Sequence, residues 1–244
     1  TAVYAHNDMD DLLKKVRHFR PRQGFIVTDS VFSMDGDIAR LPDLAAMARE
    51  HGLTLMVDDA HATGVLGATG RGSLEHFGLS HEDVPVVTGT LSKAVPSEGG
   101  FVCGSASLCE LIRNTARSFI FTTAPSPSTA ATAAAGIEYI AAHPELVRQL
   151  QDNVAWFAQS LARRSLGTHG QSPIIPIMVG DEAKAARAAE ALLALGVFAP
   201  CIRYPTVPRG MARLRLTVMA AHTREDLDYA ADCLERALAA AMAD

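Results

Sequence analysis

The sequence predicts an α/β fold, with a three-layer domain around a mainly parallel sheet followed by a small C-terminal α+β domain. Short apolar runs that suit strands buried on both faces alternate with segments of helical apolar spacing. The pattern changes after about Arg164, where two strand-like runs are separated only by a short loop. Hydrophobic residues make up 48% and charged residues 20% of the 244 residues, which is the balance of a globular chain.

Residues 1–144 are predicted to form the large domain, and its elements follow in order. Residues 1–5 have the composition of a strand, and Met9, Leu12, Leu13 and Val16 recur at helical spacing. The following elements are predicted as strands at 24–31, 53–57, 84–88 and 100–103, and helices at 41–50, 105–117 and 126–142. The His143–Pro144 step ends the last of these helices, because the residue before a proline disfavours helical backbone.

Residues 145–244 are predicted to form the small C-terminal domain. A helix at 144–164 leads into it, and a second helix is expected at 182–195. Strands are expected at 174–179, 197–203 and 212–219, the last two joined by a short loop and therefore antiparallel. A closing helix places Leu227, Ala231, Leu234 and Leu238 on one face.

Composition and charge exclude several classes of function. The net charge of −5 includes no basic run, so no nucleic-acid footprint is expected. No uninterrupted apolar segment is long enough to span a bilayer, so no membrane partner is expected either. The cysteines, at 103, 109, 201 and 233, lack metal-ligand spacing. They predict no metal site and a reducing, cytoplasmic location.

Three polar clusters follow three predicted strands. They are Ser33-Met-Asp-Gly36, Asp58-Asp-Ala-His61 and Thr90-Leu-Ser-Lys93. Ligands of open parallel sheets bind beyond the carboxyl ends of the strands, so these clusters are expected to form one pocket. Taken singly, each has an ordinary structural interpretation: a turn, a helix cap and a solvated surface lysine.

Together the clusters suit the chemistry of pyridoxal 5'-phosphate (PLP). A lysine amine such as that of Lys93 can bind the cofactor aldehyde. A carboxylate such as that of Asp58 can hold a proton on the pyridine nitrogen, so that the ring accepts electrons. His61 is placed to touch the ring or its phenolic oxygen, and Ser33 and Thr90 offer hydroxyl groups.

The sequence resembles the α-oxoamine synthases, a family of fold-type I PLP enzymes. The matching stretches follow the family's order over nearly the whole chain: 6–8 (HND), 29–37 (DSVFSMDGD), 57–64 (VDDAHATG), 70–72 (GRG), 90–94 (TLSKA), 99–102 (GGFV), 121–124 (FTTA) and 205–208 (PTVP). Within the family, Arg203–Thr217 is most similar to the branch that makes a biotin precursor.

The resemblance implies a role for each matching position. The implied catalytic residues are Lys93, His61 and Asp58. The same three residues would bind PLP together with Ser33, Thr90, Thr122 and Thr123, the last two across a homodimer interface. Thr206 and Arg215 would bind substrate. Arginine suits a substrate carboxylate because its planar guanidinium can donate two parallel hydrogen bonds.

The implied reaction is a decarboxylative condensation of an amino acid with an acyl-CoA or acyl-carrier thioester. L-Alanine and a pimeloyl-CoA-like thioester are the expected substrates, as in biotin biosynthesis. Two alternatives remain open. One is a sibling synthase that uses glycine or serine, as glycine C-acetyltransferase, aminolevulinate synthase and sphingoid-base synthases do. The other is a non-catalytic, truncated subunit.

The sequence departs from the family pattern in two places. The family's further N-terminal portion, which includes the residue that stacks on the cofactor ring, is not in this sequence, so the large domain is expected to be incomplete and to bind PLP weakly by itself. Pro96 follows the lysine where the family often has glycine, so a different loop path is expected there. Asp59 is interpreted as structural rather than catalytic. Arg203 and Arg213 are left open: either could assist with substrate, although a salt bridge is the commoner role of such an arginine.

Overall fold

The computed structural model describes residues 1–167 and 170–243. The chain divides into two compact units, described separately below. Unit 1 comprises Thr1–Val31 and Ala39–Pro144, and unit 2 comprises Phe32–Ile38 and Glu145–Asp244. The assignment of residues 32–38 to unit 2 is a feature that no pattern in the sequence indicates.

Unit 1 is built on a sheet of the order β1-β2-β3-β4. The strands are Phe25–Asp29 (β1), Thr54–Asp58 (β2), Val86–Thr90 (β3) and Gly100–Cys103 (β4). The pairs β1–β2 and β2–β3 are parallel, whereas β4 runs antiparallel to β3. The predicted mainly parallel sheet is therefore confirmed.

Helices precede, connect and follow the strands of unit 1. They are Met9–Phe19 (α1), Leu41–Glu50 (α2), Ser73–Phe77 (α3), Ala106–Thr115 (α4), Arg117–Ile120 (α5) and Pro127–Ala142 (α6). Local capping explains where several of them begin: the Asp8 carboxylate accepts hydrogen bonds from two backbone amides of α1, and the Ser126 hydroxyl accepts one from α6.

The two faces of the unit 1 sheet differ in burial. Ile26, Leu55 and Val57 point to one face and are almost completely buried. Phe25 and Val27 point to the opposite face of β1 and remain 64% and 56% exposed. The strand alternation therefore gives one tightly packed face and a second, accessible face, which is exposed along β1 and half-buried along β2.

Unit 2 is an α+β unit with the antiparallel strand order β5-β7-β6. Its elements are Pro144–Arg163 (α7), Ile174–Gly180 (β5), Glu182–Ala194 (α8), Cys201–Ile202 (β6), Ala212–Thr217 (β7) and Arg224–Ala243 (α9). Its core joins helices and sheet through Phe157, Leu161, Leu192, Leu214 and Leu234, each no more than 1% exposed. The predicted C-terminal α+β architecture is confirmed.

No helix in the described part of the chain is both long and apolar enough to cross a bilayer. The longest helices, α7 and α9, have 20 residues each and carry charged side chains along their length.

Three predicted elements differ from the structure. Thr1–Ala5 forms no strand, since no described strand pairs with it and Val3 is 83% exposed. The predicted helix at 105–117 is divided because Ala116 takes an extended conformation between α4 and α5. The strand predicted at 197–203 contracts to two residues, since Pro200 has no backbone N–H to donate to the ladder.

Replacing a core aromatic residue of unit 2 is expected to destabilise that unit. Phe157→Ala removes a side chain that is 1% exposed, and should lower the free energy of unfolding by about 3–5 kcal/mol. The matched control is Phe198→Ala in the same unit, where the ring is 78% exposed and the expected change is below about 0.5 kcal/mol. Urea titration followed by Trp156 fluorescence reports on unit 2, and equal losses for the two variants would contradict the assigned core.

Candidate active site

The parallel register of unit 1 places polar residues in one row across the sheet. Asp29 of β1 pairs with Asp58 of β2, and Asp58 pairs with Thr88 of β3. Paired residues of neighbouring strands point to the same face, and these three share the accessible face with Val27. Two carboxylates and a hydroxyl are therefore neighbours where β1 and β2 end.

The Asp58 carboxylate is held by two hydrogen bonds. Its Oδ1 accepts from the backbone N–H of Ala60 at 2.8 Å, and its Oδ2 accepts from the Thr88 hydroxyl at 3.0 Å. Asp58 is only half-buried, so the fixed carboxylate is still accessible from the open face. A carboxylate with a fixed orientation can hold a proton at a defined point on a bound ring.

Lys93 and His61 meet beyond the ends of β3 and β2. The Lys93 Nζ lies 2.9 Å from His61 Nε2. Lys93 is exposed, whereas His61 is half-buried in the turn that follows β2. The predicted catalytic residues of unit 1 thus occupy one region: Lys93 contacts His61, and both Lys93 and Asp58 act electrostatically on Asp29.

Asp59, next to Asp58, has a different environment. It is 2% exposed, and its carboxylate accepts hydrogen bonds from both the backbone N–H and the hydroxyl of Ser73. A Cβ at Gly72 would overlap the same carboxylate, so the chain approaches it closely there. This contact joins the end of β2 to the start of α3 and supports the structural interpretation of Asp59.

The loop that carries Lys93 is closed by hydrogen bonds of its own. The Leu91 N–H donates to Gly99 O at 2.9 Å, and the Ser97 N–H donates to Leu91 O at 2.9 Å. The Thr90 hydroxyl, predicted to contact the cofactor, lies 2.8 Å from the Ser92 hydroxyl and 3.2 Å from Gly99 O. In this structure Thr90 therefore contributes to the loop.

Pro96 is accommodated by a glycine on a neighbouring helix. A Cβ at Gly136 of α6 would lie 2.7 Å from Pro96 Cδ, so only glycine allows this approach. Val95 is buried beside it, and the Ser97 hydroxyl donates to Thr129 O of α6 at 2.7 Å. The loop after the lysine is thus fixed against α6.

Thr122 and Thr123 lie between α5 and α6. Both are exposed, and apolar side chains around them are exposed as well, among them Phe119 at 58% and Phe121 at 74%. The structure does not bring these threonines to Lys93 through any described contact within unit 1.

Three predicted site residues belong to unit 2. Arg215 of β7 is half-buried, and its Nε donates to Ser33 O at 2.6 Å. Thr206 is exposed in the turn between β6 and β7, where its N–H donates to Arg203 O at 3.0 Å. Burial lowers the pKa of Arg215. The cluster at residues 33–36 therefore belongs to unit 2, whereas the sequence pattern assigned it to the large domain.

Two residues of the polar row across β1, β2 and β3 were not predicted as site residues from the sequence. Thr88 fixes Asp58, and Asp29 adds a second carboxylate beside it. Partial burial and the Asp58 carboxylate raise the pKa of Asp29 above its ordinary value of 3.8, while Lys93 acts in the opposite direction. Asp29 begins the matching stretch 29–37 but has no role assigned from it, and the register that places both residues beside Asp58 is not specified by a single sequence.

Comparison with known proteins gives one matching family. The family described as aminotransferase class I and II matches residues 2–234. Among curated relatives, the 8-amino-7-oxononanoate synthase of Symbiobacterium thermophilum is 48% identical over 230 residues, which cover 93% of this chain and 58% of that protein. A Desulfovibrio desulfuricans protein, provisionally named 8-amino-7-oxononanoate synthase, is 79% identical over 239 residues, which cover 98% of this chain and 62% of that protein. This chain therefore spans about three fifths of the length of these relatives.

Solved structures show the same similarity. A serine palmitoyltransferase of S. paucimobilis, solved with a bound PLP–myriocin aldimine, superposes with a TM-score of 0.92 at 32% identity, covering 99% of this chain and 61% of that one. The 8-amino-7-oxononanoate synthase of Francisella tularensis superposes with a TM-score of 0.81 at 27% identity, covering 96% of this chain and 67% of that one.

Removing the Asp29 charge is expected to stabilise the protein at neutral pH. Because the pKa of Asp29 is raised in the folded state, its ionisation costs stability as the pH rises through that pKa. In cofactor-free protein, Asp29→Asn should raise the free energy of unfolding by about 0.5 kcal/mol at pH 7, a small effect because water still reaches much of this partly buried side chain.

The difference in free energy of unfolding between Asp29→Asn and wild type should become smaller in high salt. It should disappear below pH 3.8, the ordinary pKa, because Asp29 is then protonated in both the folded and the unfolded wild-type protein. Urea titrations across this pH range measure it. Glu138→Gln, which neutralises an exposed carboxylate of α6, is the control for removing a charge away from the Asp29–Asp58 pair. A loss of stability in Asp29→Asn at pH 7 would contradict the repulsion between Asp29 and Asp58.

Proposed function

The chain belongs to the aminotransferase class I and II family, and we propose that it carries the catalytic chemistry of a PLP-dependent α-oxoamine synthase. The proposed reaction joins an amino acid to an acyl thioester with loss of CO2. The observation that carries the proposal is the meeting of the Lys93 amine and the His61 imidazole, 2.9 Å apart, beyond the strand ends where the Asp58 carboxylate is fixed.

The residues of unit 1 fit PLP in their chemistry. The cofactor needs an amine for its aldehyde, an anion for its pyridine nitrogen and a donor for its phenolic oxygen. Lys93, Asp58 and His61 supply these groups, and the sheet face that carries Asp58 is accessible. When bound, PLP supplies an electron sink for the electron pair released at the α-carbon of the amino acid.

Asp58 would hold the proton at the pyridine nitrogen. Its two hydrogen bonds, from Ala60 N–H and Thr88 Oγ1, leave the carboxylate in one orientation, so no reorganisation is needed when the ring enters. Asp29 increases the negative charge at this point and favours a cationic ring nitrogen.

Lys93 would hold the cofactor and then move a proton at the α-carbon of the amino acid. The closed loop from Leu91 to Gly99 restricts where its amine can reach. His61 would donate to the phenolic oxygen, and its contact with Lys93 holds the two side chains next to each other. A positioned amine of this kind is a suitable general base and acid.

The residues of unit 2 would bind the substrate. Arg215 would hold the amino-acid carboxylate, since its Nε is used by Ser33 O and its terminal nitrogens have no acceptor among the described residues. Thr206 would contact the substrate, and Ser33 and Thr90 would contact the cofactor, as the family resemblance implies.

L-Alanine and a pimeloyl thioester, on CoA or a carrier protein, are the proposed substrates. The names of relatives that are 79% and 48% identical support them. The main competing proposal is the serine- or glycine-using branch, which the TM-score of 0.92 with a serine palmitoyltransferase favours. That structure is only 32% identical, so the oxononanoate branch is the better supported of the two.

A homodimer with shared sites is proposed. Thr122 and Thr123 are exposed among apolar side chains of α5 and its flanks, as residues at a subunit interface are before assembly. These threonines would reach the phosphate bound in the partner subunit. A cytoplasmic location is also proposed, because all four cysteines are free.

Covalent attachment of PLP at Lys93 is the first test. Borohydride reduction of the cofactor-loaded protein, followed by peptide mass mapping, should find the label on Lys93. Lys93→Ala should abolish both label and turnover, the latter by about 10³-fold or more. The control Lys14→Ala, an exposed lysine of α1, should retain both. A labelled, active Lys93→Ala variant would disprove the assignment, and an unlabelled wild-type protein would favour the non-catalytic alternative.

Product analysis tests the choice of substrate. The protein is supplied with PLP and pimeloyl-CoA together with L-alanine, glycine or L-serine, and products are identified by mass spectrometry with CO2 release as a second readout. L-Alanine is expected to give a kcat/KM at least about tenfold above the others, which corresponds to about 1.4 kcal/mol of selectivity. A preference for serine with a long acyl-CoA would contradict this assignment and indicate the activity of the sphingoid-base branch.

A further inference from the structure

Strand β7 places two arginines side by side on the face opposite its core residues. Leu214 and Leu216 point into the core of unit 2 and are 0% and 6% exposed. Arg213 and Arg215 alternate with them and therefore share the other face of the strand. The two guanidinium groups differ in what they bind.

Arg213 is the buried member of the pair. It is 2% exposed, and its Nη1 donates to Met34 O at 3.0 Å and forms an ion pair with Asp35. Its Nε donates to Met211 O at 3.2 Å. A buried arginine is tolerated only when it is paired in this way, so Nε and Nη1 of Arg213 are committed to protein contacts.

The turn that Arg213 holds is compact. The Gly36 N–H donates to Phe32 O at 2.8 Å, and the Phe32 N–H donates to Asp37 O at 3.0 Å. The Ser172 hydroxyl donates to Gly36 O at 2.7 Å, and a Cβ at Gly36 would overlap the Ile174 carbonyl. Contacts on both sides of the turn leave Ser33, Met34 and Asp35 little freedom.

Arg215 depends on the same turn. Its one described acceptor is Ser33 O, directly before the carbonyl that Arg213 binds. The direction of the Arg215 guanidinium is therefore set by Ser33 O, and the position of Ser33 O is set by the neighbouring residues that Arg213 holds. Half-burial removes water from Arg215 without supplying a carboxylate partner, as expected of a site for an anion.

We propose that Arg213 is a positioning residue for substrate binding: with Asp35 it fixes the 32–38 turn, which aims the terminal nitrogens of Arg215 at the amino-acid carboxylate. This inference rests on the function proposed above for Arg215. Arg213 itself binds only protein groups, yet it is expected to control the affinity for the carboxylate group of the amino acid and not the affinity for the rest of the molecule.

The test compares an amino acid with an amine that lacks the carboxylate. Dissociation constants for L-alanine and ethylamine are measured from the absorbance change of the PLP-loaded protein. Arg213→Met should weaken L-alanine binding by about tenfold or more while changing ethylamine binding by less than twofold. Asp35→Asn, a milder change at a half-exposed residue, should weaken L-alanine binding by about threefold, and Arg213→Lys should lie between wild type and Arg213→Met.

Arg164→Met is the matched control. Arg164 of unit 2 forms an ion pair with Asp232 and donates to Ser160 O at 2.9 Å, and none of its described hydrogen bonds or ion pairs involves the 32–38 turn. Its loss should lower stability without changing the ratio of the two affinities. In cofactor-free protein, hydrogen exchange at the Gly36 amide should accelerate in Arg213→Met and not in Arg164→Met.

The outcomes separate the inference from the function on which it rests. Arg215→Met is included as the reference. If it leaves L-alanine binding unchanged, the assignment of Arg215 to the carboxylate is wrong and the inference fails with it. If Arg215→Met weakens L-alanine but Arg213→Met and Asp35→Asn do not, or weaken ethylamine equally, Arg213 is only structural. If Arg213→Met does not fold, Asp35→Asn decides the question by the same criterion.

Discussion

The parallel pairing of β1, β2 and β3 is the constraint on which the candidate site depends. Asp29, Asp58 and Thr88 are far apart in the chain, and they become neighbours only because the register of the three parallel strands pairs them with their side chains on one face. The ends of β2 and β3 direct the following turns, which carry His61 and Lys93, to one edge of the sheet. A shift of β2 by one residue would turn Asp58 towards the packed face and Asp59 towards the open one.

The two units use charge in the same way. In each, one of two charged residues close together in sequence is buried and bound to neighbouring protein groups, and the other is more accessible and keeps part of its hydrogen-bonding capacity for a ligand. Asp59 and Arg213 are 2% exposed and fix a loop or a turn. Asp58 and Arg215 are half-buried. Asp58 is oriented by Ala60 N–H and the Thr88 hydroxyl, and Arg215 by the turn that Arg213 binds. Since an unpaired buried charge is costly, the buried residue supports the structure through its protein contacts, and the accessible one is the candidate for chemistry.

Much of the fold was predictable from local pattern. Helix α2 and strand β4 have the predicted bounds, because apolar periodicity and flanking residues determine both locally. The strand predicted at residues 1–5 was wrong because strand composition does not specify a pairing partner. The strand predicted at 197–203 is shorter in the structure because Pro200 has no backbone N–H to donate. Asp29 and Thr88 were missed since their importance follows from register, which depends on hydrogen bonds between distant strands.

The sequence by itself determined which chemical groups are present, the order of helices and strands, and the family, because motifs such as 57–64 and 90–94 are local in the chain. Only the tertiary structure decided which of Asp58 and Asp59, and which of Arg213 and Arg215, is accessible. It also assigned the 32–38 turn to unit 2, through hydrogen bonds from Arg213 and Arg215 to Met34 and Ser33, about 180 residues away. Burial and long-range hydrogen bonding are properties of packed elements, and no stretch of sequence specifies them before the elements meet.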